Sequence, residues 1–133
     1  MAKMKTQISN YQEASAFLGG EPERELGYRT VVHRLELRDS IAVRYMDTDI
    51  VIFDRDGDIE FDVGRWRTDT TKQRLSNIIP DVRVWSEGLE YKGGPPIWAI
   101  SAPEGADARF ENGMYLRNNS FDHWKRNHYA NNR

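Results

Sequence analysis

The sequence predicts an α+β protein: an antiparallel β-sheet with a short N-terminal helix and one helix inserted midway. Two observations carry this. Residues 28–63 hold runs of branched and aromatic side chains that alternate with polar ones and are broken by turn signals, the pattern of half-buried strands. Residues 68–79 then change to a helical period and stop at Pro80.

The N-terminal helix starts at Ser9 and Asn10, both good caps, with Gln12 and Glu13 three residues on. Ala14, Phe17 and Leu18 give one apolar stripe, and Gly19-Gly20 and Pro22 end it. So short a helix is held by packing, not by propensity.

Tyr28 to Leu37 reads as extended. Asp39-Ser40 is a turn, and Ile41, Val43 and Tyr45 then alternate with Ala42 and Arg44. Asp49 to Phe53 is nearly all apolar and reads as a central strand. After the turn signal Asp54-Arg55-Asp56-Gly57, Ile59, Phe61 and Val63 alternate with Asp58, Glu60 and Asp62, so these two strands form a hairpin. The helix over 68–79 has two candidate caps. Thr70 has capping-box spacing to Gln73, and Thr68 is the alternative. Leu75, Ile78 and Ile79 mark its apolar face.

Short strands are expected at Val82–Trp85, Leu89–Lys92, Ile97–Ser101, Ala108–Phe110 and Met114–Leu116. Residues 1–117 make one α+β domain, and 118–133 make a polar, basic tail, or a short helix capped by Ser120 with Phe121 and Trp124 on one face.

The composition fits a single core. The chain has 133 residues, 38% hydrophobic and 30% charged, with four tryptophans. A net charge of -2 gives no bulk basic field for nucleic acid. With no cysteine, disulfides, thiol chemistry and cysteine-ligated zinc are excluded. Met1-Ala2-Lys3-Met4-Lys5 is not followed by the apolar stretch of a signal peptide, and no run approaches the roughly 20 apolar residues of a membrane span. The expected location is the cytoplasm, with no membrane partner.

Asp54, Asp56, Gly57 and Asp58 echo a calcium loop, but the first ligand position falls on Ile52 and the bidentate position on Val63. A hairpin turn is the simpler reading. His33, His123 and His128 lack metal-ligand spacing. No metal, cofactor or catalytic residue is expected, and no nucleophile motif occurs.

Gly64 to Arg74 stands out. It joins a strand to a helix, and a helix start offers free N–H groups and partial positive charge to an anion. Thr68, Thr70 and Thr71 add hydroxyls. Arg65, Arg67, Lys72 and Arg74 add cations, and Arg44 is a further candidate. Trp66 offers a stacking face, and Gly64 permits close backbone approach. Together they suit a small anionic, ring-containing ligand such as a nucleotide. The same residues also read as a helix cap, a core tryptophan and solvated cations. Asp47-Thr48-Asp49 could brace the segment from a neighbouring strand end, or form a turn.

The order Thr48-Asp49-Ile50-Val51-Ile52-Phe53, Asp56-Gly57, then Gly64-x-Trp66-x-Thr68-x-Thr70-Thr71-Lys72-x-Arg74-Leu75 resembles small proteins of bacteriophages and prophages. Arg65 stands where that pattern has a second glycine, and Ser76-Asn77 shifts its final asparagine by one. The similarity spans about residues 8–85, with weaker echoes at Asn112-Gly113-Met114. The chain is more loosely similar to phage Thoeris anti-defence proteins, which sequester cyclic ADP-ribose signals and form oligomers. That resemblance implies non-catalytic binding of a nucleotide-derived immune signal, cyclic ADP-ribose or a cyclic dinucleotide, by a homo-oligomer in the host cell. It also implies that Arg109 helps complete the pocket. Two alternatives stay open. One is an inhibitor of a host defence enzyme or polymerase, docking through the acidic strand face Asp58, Glu60 and Asp62. The other is a nucleic-acid-binding module using the basic C-terminus.

Overall fold

The computed structural model describes residues 7–65, 67–80, 82–102, 107–117 and 120–122. The class is α+β. Helix α1 (Tyr11–Leu18) is followed by strands β1 (Glu23–Gly27), β2 (Thr30–Leu35), β3 (Ser40–Tyr45), β4 (Thr48–Asp54) and β5 (Ile59–Phe61). Helix α2 (Asp69–Ile78) comes next, then β6 (Arg83–Leu89), β7 (Pro96–Ser101), β8 (Asp107–Arg109), β9 (Met114–Arg117) and β10 (Ser120–Asp122).

Asn10 caps α1: its side chain accepts from the Glu13 N–H at 2.8 Å, while Glu13 Oε1 accepts from the Ser9 N–H at 2.8 Å. Two orphan donors at the chain entry are thus satisfied reciprocally, as in a capping box. Ala14 and Leu18 are the buried face.

The strands form two antiparallel sheets where the sequence pattern led us to expect one. The larger has seven strands in the order β1-β2-β3-β4-β5-β9-β10, and the smaller has β6-β7-β8. Strand β4 lies in the middle of the larger sheet, as its apolar run requires. The β4–β5 hairpin forms with Phe53 opposite Ile59 and Val51 opposite Phe61. Strand β9 returns across the whole second sheet to pair with β5, setting Met114 opposite Phe61.

Four elements differ from expectation. Strand β1 has no apolar alternation, because Glu23, Arg24 and Glu25 are exposed at a sheet edge where charge prevents further pairing. Leu89–Lys92 is no separate strand: Leu89 ends β6, and Leu89 and Tyr91 are exposed. Asp107 and Ala108 belong to β8, whereas Phe110 lies just past it. Ser120 does not cap a helix; it opens β10, and Phe121 packs its ring 6.4 Å from that of Phe61. Trp124 and the rest of the basic C-terminus lie outside the described residues.

One core joins the layers. Ile41, Val43, Phe53 and Phe61 from the larger sheet meet Leu75 and Ile78 of α2 and Val84, Trp98, Ile100 and Phe110 from the smaller sheet region. Trp98 and Phe110 meet edge to face at 5.6 Å, the geometry that ring quadrupoles favour. Helix α2 buries Thr71, Arg74, Leu75 and Ile78. That i, i+3, i+4, i+7 stripe wedges α2 against both sheets and fixes where its N-terminus opens.

Candidate functional site

The strand-to-helix segment is held from three sides. The Asp62 carboxylate accepts from the Gly64 N–H at 2.7 Å. Asn112 accepts from the Val63 N–H at 2.9 Å and donates to the Gly64 carbonyl at 2.7 Å. Gly64 has φ +60°, and a Cβ there would stand 3.7 Å from the Thr48 side chain. The backbone turn therefore favours glycine, while the space beside it is ordinary contact distance.

Thr68 is the cap of α2. Its hydroxyl oxygen accepts from the Thr71 N–H at 3.3 Å, and its carbonyl accepts from the Lys72 N–H at 3.0 Å. The Thr68 hydroxyl also bonds those of Thr70 at 3.2 Å and Thr71 at 3.0 Å. Helix geometry gives the Asp69 and Thr70 N–H groups no intrahelical acceptor. Of the three threonines that suggested anion binding, Thr68 caps the helix, and all three border a cavity.

That cavity is about 630 Å³ and lies between the start of α2 and the tips of the β1–β2 and β3–β4 hairpins. Arg44, Thr68, Thr70 and Thr71 line it, with Asp47, Thr48, Tyr45, Ile50 and Val63. Two further lining residues, Arg29 and Met46, gave no signal in the sequence. They are the two non-glycine residues with positive φ among the described residues, at 48° and 61°. The Met46 N–H donates to the Arg29 carbonyl at 2.9 Å, and Arg29 Nη1 lies 3.6 Å from Met46 Sδ. Two left-handed hairpin residues thus brace one another at the cavity mouth, where neither chain position has the glycine such a turn favours. Arg44 is half-buried in the wall. Among the described residues its side chain makes no hydrogen bond or ion pair; Asp49, its cross-strand neighbour, is engaged by His33 Nε2 at 2.6 Å.

The remaining candidates divide. Arg65, Arg67 and Arg109 line a second hollow of about 510 Å³, which shares Thr68 with the first. Lys72 lines neither and pairs with Asp69 at 3.2 Å. Arg74 is 1% exposed and lies 5.1 Å over the Tyr45 ring, inside the core. The 3.6-residue period of α2 already placed it on the face of Leu75 and Ile78. Trp66 lies outside the described residues.

The acidic turn and strand are neutralised internally. Arg117 meets Asp58 with two bonds, Nε to Oδ1 at 3.0 Å and Nη2 to Oδ2 at 2.7 Å. Arg38 spans Asp54 at 3.0 Å and Glu60 at 3.2 Å, and Ser40 donates to Asp54. Its hydrogen bonds to the Asp58 carboxylate hold the Arg117 pKa above its ordinary value. Burial works against the Arg38 charge, but Asp54 and Glu60 outweigh it, and its pKa is also raised. Oxygens of Asp54, Asp56 and Asp58 lie within 4.8 Å of one another, and a metal ion there would compete with these guanidinium groups. Of the acidic face expected for docking on a basic partner, Asp58 and Glu60 are thus ion-paired within the fold, whereas Asp62 accepts from the Gly64 N–H. Each is held within the fold.

The family model for the Kyanoviridae Gp96 protein matches residues 1–117. The chain belongs to this phage protein family. The match takes in every element through β9, including both walls of the cavity. No curated protein and no solved structure matches the chain. No helix among the described residues is long and apolar enough to cross a membrane.

Proposed function

We propose that this phage protein is an accessory factor that binds a small anionic ligand of nucleotide size, and that it acts by holding a nucleotide-derived immune signal without chemistry. The observation that carries this is Arg44: a half-buried guanidinium without an ion pair among the described residues, in the wall of a cavity at the start of α2. A buried cation without a counterion costs free energy that an anionic ligand would return. Arg29 adds a second cation, the first turn of α2 adds N–H groups, and Tyr45 and Val31 add apolar wall for a ring. A volume of about 630 Å³ falls in the usual range for small-molecule sites, roughly 300–1,000 Å³. The lining combines two cations, hydroxyls and apolar surface with one carboxylate, Asp47.

The test is retention of intact ligand. Purified protein is incubated with cyclic ADP-ribose or a cyclic dinucleotide, freed of excess and heated, and the released material is weighed by mass spectrometry. Intact ligand supports sequestration, recovery of a cleaved product points to an enzyme, and no recovery with no rise in melting temperature overturns the reading. Light scattering with and without ligand tests the homo-oligomer proposed with it.

A further inference from the structure

We infer that the ligand carries two separated anionic groups and that the arginine-lined second hollow seats one of them. This rests on the first cavity being a ligand site and adds what the ligand must look like. Three guanidiniums, from Arg65, Arg67 and Arg109, face two carboxylates, Glu90 and Glu111, around this hollow. Arg65 and Arg67 make no ion pair among the described residues, and Glu90 pairs with Arg109. Arg67 is half-buried, donates to the Pro96 carbonyl at 3.2 Å and lies 5.8 Å from the centroid of the Phe110 ring. A neutral carbonyl leaves its charge in place. Arg65 makes no side-chain hydrogen bond or ion pair among the described residues. Arg109 reaches Glu90 only at 3.4 Å, with both side chains about half exposed, a geometry worth little in water.

The two hollows are neighbours. Val63 lines the first and Gly64, the next residue, lines the second; Thr68 lines both. The Thr48 side chain, in the wall of the first, stands at contact distance from Gly64. The two hollows therefore adjoin at Thr68. A single phosphate reaches one hollow only. Two phosphates joined through sugars or bases can sit one on each side of Thr68, with Tyr45 as wall on the side of the first cavity. The ligand class this selects is a dinucleotide, linear or cyclic.

The experiment is calorimetric titration of the full chain with AMP, carrying one phosphate, and with cyclic di-AMP, carrying two. Wild type is compared with Arg44→Gln, in the first cavity, and Arg65→Gln, an exposed residue in the second. Removing one charge-assisted hydrogen bond to a phosphate is expected to weaken binding about tenfold or more. Cyclic di-AMP should lose affinity in both variants, and AMP only in Arg44→Gln. Melting temperatures without ligand should match wild type. If Arg65→Gln binds cyclic di-AMP within about twofold of wild type, the two-seat inference fails while the first cavity stands. If wild type binds neither of these probes, the two-seat inference fails; the first-cavity reading fails with it only if cyclic ADP-ribose is not retained either.

Discussion

Arg74 of α2 lies with its guanidinium carbon 5.1 Å from the centre of the Tyr45 ring. The contact clamps the helix to the end of β3, and Tyr45 is also cavity wall. Arg74→Ala removes a 1%-exposed side chain and should cost about 3 kcal/mol, because both core packing and a desolvated cation–π interaction go with it. Arg74→Met should recover part of that. Urea denaturation checks both values, and ligand affinity should fall along with stability.

Thr68→Ala separates the two caps that the sequence allowed. Loss of the bond to the Thr71 N–H should cost about 1 kcal/mol, and Thr68→Ser should restore most of it. Thr70→Ala should stay within about 0.5 kcal/mol of wild type. Thermal melts followed by circular dichroism give the ranking. A larger cost at Thr70 would move the cap.

Met46 has φ 61° in a two-residue hairpin turn between β3 and β4. Left-handed backbone costs an L-residue roughly 1–2 kcal/mol, part of which glycine returns as unfolded-state entropy. Met46→Gly should therefore raise stability by up to about 1 kcal/mol. It should also weaken ligand binding, because the mouth of the cavity loses the side chain that meets Arg29. Opposite movement of melting temperature and affinity is the expected signature.

The Arg55 guanidinium at 2.9 Å holds the exposed Asp39 carboxyl below its ordinary pKa, with the Tyr11 hydroxyl as a further donor at 3.2 Å. A depressed folded-state pKa stabilises above the ordinary carboxylate value of about 4 and loses that contribution as pH falls through the folded value. Arg38 and Arg117 are shifted upward, so their contributions are complete at neutral pH and are lost only in strong alkali. Carboxyl NMR titration should show a low Asp39 midpoint, returned towards the ordinary value by Arg55→Ala.

What was legible in the sequence was local. The alternation from Asp58 to Val63 and the turn at Asp56-Gly57 led to the β4–β5 hairpin, and Thr68 and Thr70 bracketed the start of α2 to within two residues. What was not legible depends on partners far along the chain. Nothing near Ser120 shows that Phe121 will pack on Phe61, and nothing near Met114 shows that β9 will pair with β5. The exposed charges of β1 hide an edge strand because neither of its faces demands apolar residues. In the site, the period of α2 could have withdrawn Arg74 in favour of the core. Arg29 and Met46 had no such signal, since an arginine and a methionine at positive φ look like any other surface residues.

The return of β9 to β5 also bears on synthesis. Between Phe61 and its partner Met114 the ribosome must add some fifty residues, which takes about 3–10 s at roughly 5–20 residues per second. For that interval the growing chain carries an unpaired strand edge bearing Ile59 and Phe61. A nascent chain stalled between residues 61 and 114 would keep that edge open, and should be the form of this protein most prone to aggregate or to engage a chaperone.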